Sequence, residues 1–254
     1  MKLSFPKLPQ QLLFAAACTG FISSAALAQD VVVTTDNQQR QVKVVGVSPA
    51  GTSLEILVGQ GKLALPLASV KEVRMTPPPE FAAAIQAYQA KEYARALALA
   101  KSVADRFHGM PAPWAQQATS MLGDLYIALN KLPQAEAAYA AFKKYYPTGA
   151  SLQSDVGLAR LALAKNDTET ARAKIGPITE AALKEKVVAP ANAIAYSQAF
   201  LVSGQVKEAA GDLPGALEDY LRTVTLFYYD RAAVSTAQEK ADALRQAHKE
   251  VTVP

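Results

Sequence analysis

The distribution of apolar positions divides the chain into three parts. Residues 12–27 form an uncharged, mostly apolar run. From residue 31 to residue 75, apolar and polar positions alternate in short runs such as 54–58, with turn sequences such as 48–51 between them. Beyond residue 79 the apolar residues recur at intervals of three and four. A period of two predicts strands and a period near 3.6 predicts helices, so we expect a β module followed by a helical domain.

The β module covers residues 29–76, and we expect it to be a meander that closes on itself. Its β-branched runs are separated by turns every eight to twelve residues, a spacing that is typical of small barrels. In size and pattern it resembles the SH3-like and Sm-like barrels. A module this small is near the lower limit for independent folding, so it is expected to pack on the helical domain. Three prolines at residues 77–79 predict an extended linker.

The helical part contains a repeated set of small and aromatic residues. The best copy consists, in chain order, of Leu122, Gly123, Tyr126, Ala135, Tyr139 and Pro147. A second copy has Gly204, Ala216 and Tyr220, and two weaker copies centre on Ala84 and Ala159. The repeat position that Tyr126 occupies is taken in the other copies by Ala87, Ala162 and Lys207. This spacing resembles the tetratricopeptide repeat (TPR), a hairpin of two antiparallel helices.

The resemblance to the TPR family implies a mainly α fold over residues 80–254: an α-solenoid of about four hairpins ended by a capping helix at residues 232–247. Small residues on the two helices of a hairpin are expected to face each other, as Gly123 would face Ala135. Uneven spacing of the second-helix alanines places insertions near residues 108–113 and 176–190, which we expect to be loops.

Two aromatic features accompany these repeats. Trp114 follows a proline-rich stretch and is expected in a loop, as a plug between the first two repeats. Residues 227–231 are expected at a packed junction with the capping helix. The alternative is that they form a small aromatic patch that binds a partner.

The apolar run near the N-terminus has the three-part pattern of a secretory signal peptide. A short basic start precedes the run, and residues 26–28 provide a small-x-small cleavage site. We predict removal of residues 1–28 on export, and the run is too short and too rich in small residues to favour a membrane span. The alternative is a lipoprotein anchored at Cys18, because residues 15–17 loosely resemble a lipoprotein site.

Composition argues against several function classes. The 26 basic and 22 acidic residues give a net charge of +4, and the predicted signal peptide carries two of the lysines, so the mature chain is only weakly basic. The β module has no aromatic residue on which a base could stack, so no nucleic-acid binding is expected.

Catalytic motifs are also scarce. The chain has one Cys and two His, and it lacks the G-x-S-x-G, H-E-x-x-H and phosphate-loop patterns, so an enzyme is the least favoured class. A catalytic pair of acids, for example Asp124 with Asp155, is the remaining way in which the chain could be an enzyme. We predict no catalytic residue, no cofactor and no metal site.

The TPR resemblance implies a superhelix whose concave face holds a peptide or protein segment without catalysis. Projecting the groove positions of the repeat onto this chain selects seven first-helix residues: Tyr88, Gln117, Asp124, Arg160, Gln198, Gln205 and Glu208. Their mixed polarity favours hydrogen bonding to an extended chain over capture of one charge type. We expect Arg160→Glu and Asp124→Lys to weaken binding and to leave stability unchanged.

The leading hypothesis is an exported, periplasmic scaffold that holds other envelope proteins, as the resemblance to TPR proteins of the bacterial cell envelope implies. The alternative is an accessory subunit of an obligate envelope complex, or a homo-oligomer assembled through the β module. In both cases the partners are proteins or peptides.

Overall fold

The computed structural model describes residues 30–147 and 151–252, so the predicted signal peptide and Cys18 lie outside the described residues. In the described part the protein is mainly helical, with a small antiparallel sheet before nine α-helices. None of these helices is long and apolar enough to cross a membrane.

The sheet has five strands. They are β1 (Asp30–Thr34), β2 (Gln39–Val47), β3 (Ser53–Val58), β4 (Gly61–Pro66) and β5 (Val70–Arg74), with a 3-10 turn at Leu67–Ser69. Their order across the sheet is β4-β3-β2-β1-β5, and all pairs are antiparallel. Alternation places Val32, Leu54 and Ile56 in the core, as the period of two predicts.

The sheet is not closed, in contrast to the predicted barrel. β5 returns to pair with β1, and no ladder joins β5 to β4 among the described strands. The helical domain reaches β5 instead, because the Val73 N–H donates to the Pro111 carbonyl at 2.9 Å. The backbone group that closure would have satisfied therefore bonds to the helical domain.

The helices form four consecutive pairs and a last single helix. They are α1 (Pro79–Gln89), α2 (Tyr93–Phe107), α3 (Pro113–Ala128), α4 (Leu132–Tyr145), α5 (Ser151–Ala164), α6 (Thr168–Lys184), α7 (Pro190–Ala209), α8 (Leu213–Thr225) and α9 (Arg231–Ala247). Each helix packs on the next, and the odd-numbered helices also contact one another in sequence. No comparable contact joins successive even-numbered helices in the described part of the chain.

Four loops of one geometry join the paired helices. Each loop has three residues, and the middle one has a positive φ of 55–81°: Lys91, Asn130, Asn166 and Gly211. The N–H of the next residue bonds to a carbonyl five residues back, on Ala87, Tyr126, Ala162 and Lys207. This is the Schellman cap of a helix C-terminus. These four carbonyl residues are the ones that the sequence alignment placed at a single repeat position, so the hairpins repeat in that register.

The sheet and the first helices share one hydrophobic core. Val32 and Leu54 of the sheet lie in the same cluster as Phe107 and Trp114. Trp114 lies in the first turn of α3, where its ring contacts Phe107 at 5.0 Å and Phe81 at 6.1 Å between ring centroids. It lies in a helix and not in the loop that we expected, but it packs between the first two helix pairs as expected, and it also joins them to the sheet.

The predicted insertion near residues 176–190 is also mostly helical. α6 continues through Pro177 to Lys184 and leaves only residues 185–189 as a loop. Buried Ile175 and Ile178 anchor the helix on both sides of the proline. Burial of that apolar face outweighs the loss of one backbone donor.

Candidate partner-binding groove

One cavity runs along the odd-numbered helices from α1 to α9. Its volume is about 1210 Å³, which exceeds the roughly 300–1,000 Å³ of typical small-molecule sites. We call this cavity the inner groove. Its size fits a segment of polypeptide better than a metabolite.

All seven residues predicted from the repeat alignment line the inner groove: Tyr88, Gln117, Asp124, Arg160, Gln198, Gln205 and Glu208. They come from α1, α3, α5 and α7, the first helix of each pair, and each is partly buried. The structure brings these residues together on one surface. Their contact with a partner stays a prediction.

Asp124 and Arg160 form an ion pair across α3 and α5. The Tyr139 hydroxyl, from α4, donates to the same carboxylate oxygen of Asp124. Burial is the largest single influence on Arg160 and lowers its pKa, but the Asp124 carboxylate together with Tyr139 and Tyr88 outweighs burial and holds the pKa of the guanidinium above its ordinary value. Burial, followed by the Asp124 charge, also raises the pKa of the Tyr139 hydroxyl.

This pairing changes the expectation for charge reversal at the two residues. The side chains of Arg160 and Asp124 are only 19% and 17% exposed. Reversing either charge would leave two like charges largely buried together, so Arg160→Glu and Asp124→Lys are expected to destabilise the fold. They therefore do not separate binding from folding.

Tyr139 reaches the groove between two glycines. A Cβ at Gly123 or at Gly157 would lie within 3.0 Å of its ring, so the ring crosses where α3 and α5 both lack a side chain. Gly123 thus accommodates an aromatic ring, and its close contact with Ala135 stays a prediction. Tyr220 passes Gly204 in the same way.

The second tyrosine also holds a groove carboxylate. The Tyr220 hydroxyl donates to Glu208, and Lys240 of α9 pairs with Glu208 at 3.2 Å. Tyr139 and Tyr220 therefore have equivalent roles. Each extends from an even-numbered helix, α4 or α8, and fixes an acidic side chain that a basic residue of another helix neutralises.

The inner groove is also lined by α9 and by the loop before it. Tyr229 and Asp230 of the α8–α9 loop and Glu239 and Lys240 of α9 take part, whereas α9 was expected only to cap the stack. Phe227 does pack at the junction, where it stacks on Phe200 at 4.4 Å, but Tyr229 does not share this burial. The available signal was the polar stripe on one face of α9 that includes Glu239 and Lys240.

The groove is electrically balanced. Its charged lining consists of four basic and four acidic side chains: Lys91, Arg160, Arg231, Lys240, Asp124, Glu208, Asp230 and Glu239. Asp230 is further occupied, since it accepts from the Gln198 amide at 2.7 Å and caps α9 through the Ala232 N–H. A ligand with charge of one sign would therefore meet no excess of opposite charge in the groove.

Uncharged polar groups and apolar walls remain available to a ligand. Four groove glutamines have side-chain amides with no hydrogen-bond partner in the described residues: Gln89, Gln117, Gln153 and Gln205. Each amide offers two donor hydrogens and an acceptor oxygen. Ile85, Met121 and Leu201 supply apolar wall between them. Burial and then the Asp124 charge raise the pKa of Tyr88 to about 12, so its hydroxyl stays a neutral donor.

The described residues contain no group of three or more His, Cys, Asp or Glu that could hold a metal ion. No family model matches the chain, and no curated protein matches it in sequence.

Proposed function

We propose that the protein is a non-catalytic TPR-type scaffold whose hairpins form a curved solenoid and whose inner groove binds an extended segment of a partner protein. The observation that carries the proposal is that one cavity is lined by all seven residues selected from the repeat alignment. Four hairpin loops with one Schellman geometry support the repeat. Successive odd-numbered helices contact one another, whereas successive even-numbered helices do not to a comparable extent in the described residues. This difference supports a curved stack with the odd-numbered helices on the inside.

The groove lining favours an extended segment over a helix. An extended chain presents free N–H and C=O groups, and glutamine amides such as Gln117 and Gln205 can bond to both. A helix satisfies its own backbone groups and would leave these amides unpaired. The apolar walls take the partner's side chains.

The site of action that fits this scaffold is the periplasm, after removal of residues 1–28. Anchoring through Cys18 is the alternative. In either case the partners are envelope proteins, and the groove holds them without chemistry.

One observation favours the second candidate, an accessory subunit or homo-oligomer assembled through the sheet. β4 is an edge strand with exposed Leu63, and Val58 beside it is also exposed. An exposed apolar edge can pair with another chain. Analytical ultracentrifugation of the full chain and of Leu63→Lys separates the cases: a dimer that the substitution dissociates favours assembly through β4.

The groove is tested with an array of capped, uncharged ten-residue peptides and the double variant Gln117→Ala/Gln205→Ala. Loss of two hydrogen-bonding amides is expected to weaken affinity about tenfold, since each bond contributes about 0.5–1.5 kcal/mol. The thermal melt should stay unchanged, because neither amide has a partner within the described residues.

Gln86→Ala/Gln116→Ala is the matched control. These glutamines lie on α1 and α3, which are first helices of their pairs as α3 and α7 are, but they do not line the inner groove. Equal affinity of the groove variant and the unmodified protein, or an equal loss in the control, would contradict the assignment.

A further inference from the structure

Most of the strongly exposed apolar side chains in the described residues lie on two neighbouring loops, those after α6 and α8, or in the last turn of α6. Five of the seven are Leu183 (50%), Val187 (84%), Leu226 (56%), Tyr228 (61%) and Tyr229 (45%). We call these five the loop patch. Single exposed apolar residues are ordinary, but a cluster marks an interaction surface.

Tyr196 joins the two loops. Its ring packs edge-on against Phe227 of the α8–α9 loop at 6.2 Å, and its hydroxyl donates to Glu185 of the α6–α7 loop at 2.5 Å. Val188 packs on the same buried cluster as Phe227. Tyr196 therefore brings together, at one end of the helices, the two loops that follow the C-termini of α6 and α8.

The acidic side chains of these loops are bound within the protein. Glu185 accepts from Tyr196, and Asp230 accepts from Gln198 and from the first turn of α9. Three exposed basic side chains flank the patch and have no ion-pair partner among the described residues: Lys184, Lys186 and Arg231. Glu180, one turn before Leu183, is an exposed acid beside the patch. The surface presented outward is thus apolar, with an excess of basic over acidic side chains.

We propose that the loop patch docks the protein on an anionic lipid bilayer. Tyrosine suits the bilayer interface because its ring is apolar and its hydroxyl stays in water. Leu183, Val187 and Leu226 supply apolar area to the headgroup boundary, and the three basic residues meet anionic headgroups. Each such cation strengthens partitioning about fivefold.

Docking in this way would place the inner groove at the membrane. Tyr229 belongs to the loop patch and also lines the groove, and it stacks on Tyr228 at 5.3 Å. A partner segment held in the groove would then lie close to the bilayer surface. The lipid contact itself does not depend on what the groove binds.

The test places an indole in the patch of the full chain. The single tryptophan, Trp114, is buried, so Tyr228→Trp adds one exposed reporter. Vesicles of phosphatidylcholine with phosphatidylglycerol are expected to shift its emission to the blue, and brominated lipid is expected to quench it. Val58→Trp, on the β3–β4 hairpin and 56% exposed, should respond to neither.

The charge requirement is tested in the same reporter background. Lys184→Gln/Lys186→Gln is expected to weaken partitioning about thirtyfold, from about fivefold for each charge removed. Lys143→Gln/Lys144→Gln is the matched control, an exposed lysine pair at the end of α4, and should leave partitioning unchanged.

Three results would overturn the proposal. One is an unshifted Tyr228→Trp spectrum, which is also what an acidic protein partner or binding through residues 1–29 alone would give. Another is an equal response to vesicles without phosphatidylglycerol. The third is an equal loss of partitioning in the Lys184→Gln/Lys186→Gln variant and in its control, Lys143→Gln/Lys144→Gln.

Discussion

Backbone conformation at four single residues sets the geometry of the hairpins. Lys91, Asn130, Asn166 and Gly211 occupy the same loop position at positive φ. Glycine adopts this conformation without strain and asparagine tolerates it, whereas a lysine pays a steric cost between Cβ and the backbone. The four loops therefore have one geometry but unequal intrinsic stability.

Substitutions at the two extremes are expected to have opposite effects. Lys91→Gly should raise the free energy of unfolding by about 0.5–1 kcal/mol, and Gly211→Ala should lower it by about 1 kcal/mol. A Cβ at Gly211 meets no atom within 4 Å, so the loss reports conformation alone. Urea denaturation followed by circular dichroism measures both, and two changes of the same sign would argue against this account.

Helix pairs approach each other through glycine and tyrosine. The Tyr139 ring from α4 fills the space left by Gly123 and Gly157, and its hydroxyl fixes Asp124 on the groove side. Packing between α3, α4 and α5 and the position of a groove carboxylate thus depend on one side chain. Tyr220 joins α7 and α8 in the same way past Gly204.

This packing predicts a coupled pair of substitutions. Gly123→Ala should lower the free energy of unfolding by about 1–3 kcal/mol, because its Cβ overpacks the Tyr139 ring. In a Tyr139→Leu background the same change should cost much less. Urea denaturation of the four proteins of this double-mutant cycle gives the coupling free energy, and an equal cost of Gly123→Ala in both backgrounds would rule out the contact.

The sequence predicts those elements whose determinants are local. Apolar periods and turn residues mark the strands and the hairpins, and the alignment that places Tyr126 with Ala87 and Ala162 agrees with the observed loop hydrogen bonds. The open sheet was not predictable, because it depends on a contact between Val73 and Pro111 of the helical domain.

The same distinction applies to the inner groove. Its seven predicted residues follow from the TPR resemblance, which implies a groove face on the first helix of each pair. The Tyr139 hydrogen bond to Asp124 did not follow, because it needs glycines on two different helices to admit the ring. The contribution of α9, through Glu239 and Lys240, was missed because α9 has no counterpart in the earlier repeats.

The molecule has no sharp division between sheet and helices, because both contribute to one core. Leu54 of β3 is fully buried in the cluster that contains Trp114 of α3. Leu54→Ala should therefore lower the free energy of unfolding by about 2–5 kcal/mol and shift the Trp114 fluorescence transition and the helical circular-dichroism transition together in urea.

The control is Leu63→Ala, on the exposed side of the same sheet at 47% exposure, which should change the free energy of unfolding by less than about 0.5 kcal/mol. If Leu54→Ala shifted neither the fluorescence transition nor the helical signal, the sheet would be a separate folding unit. A shared transition would mean that the sheet stabilises the N-terminal end of the groove.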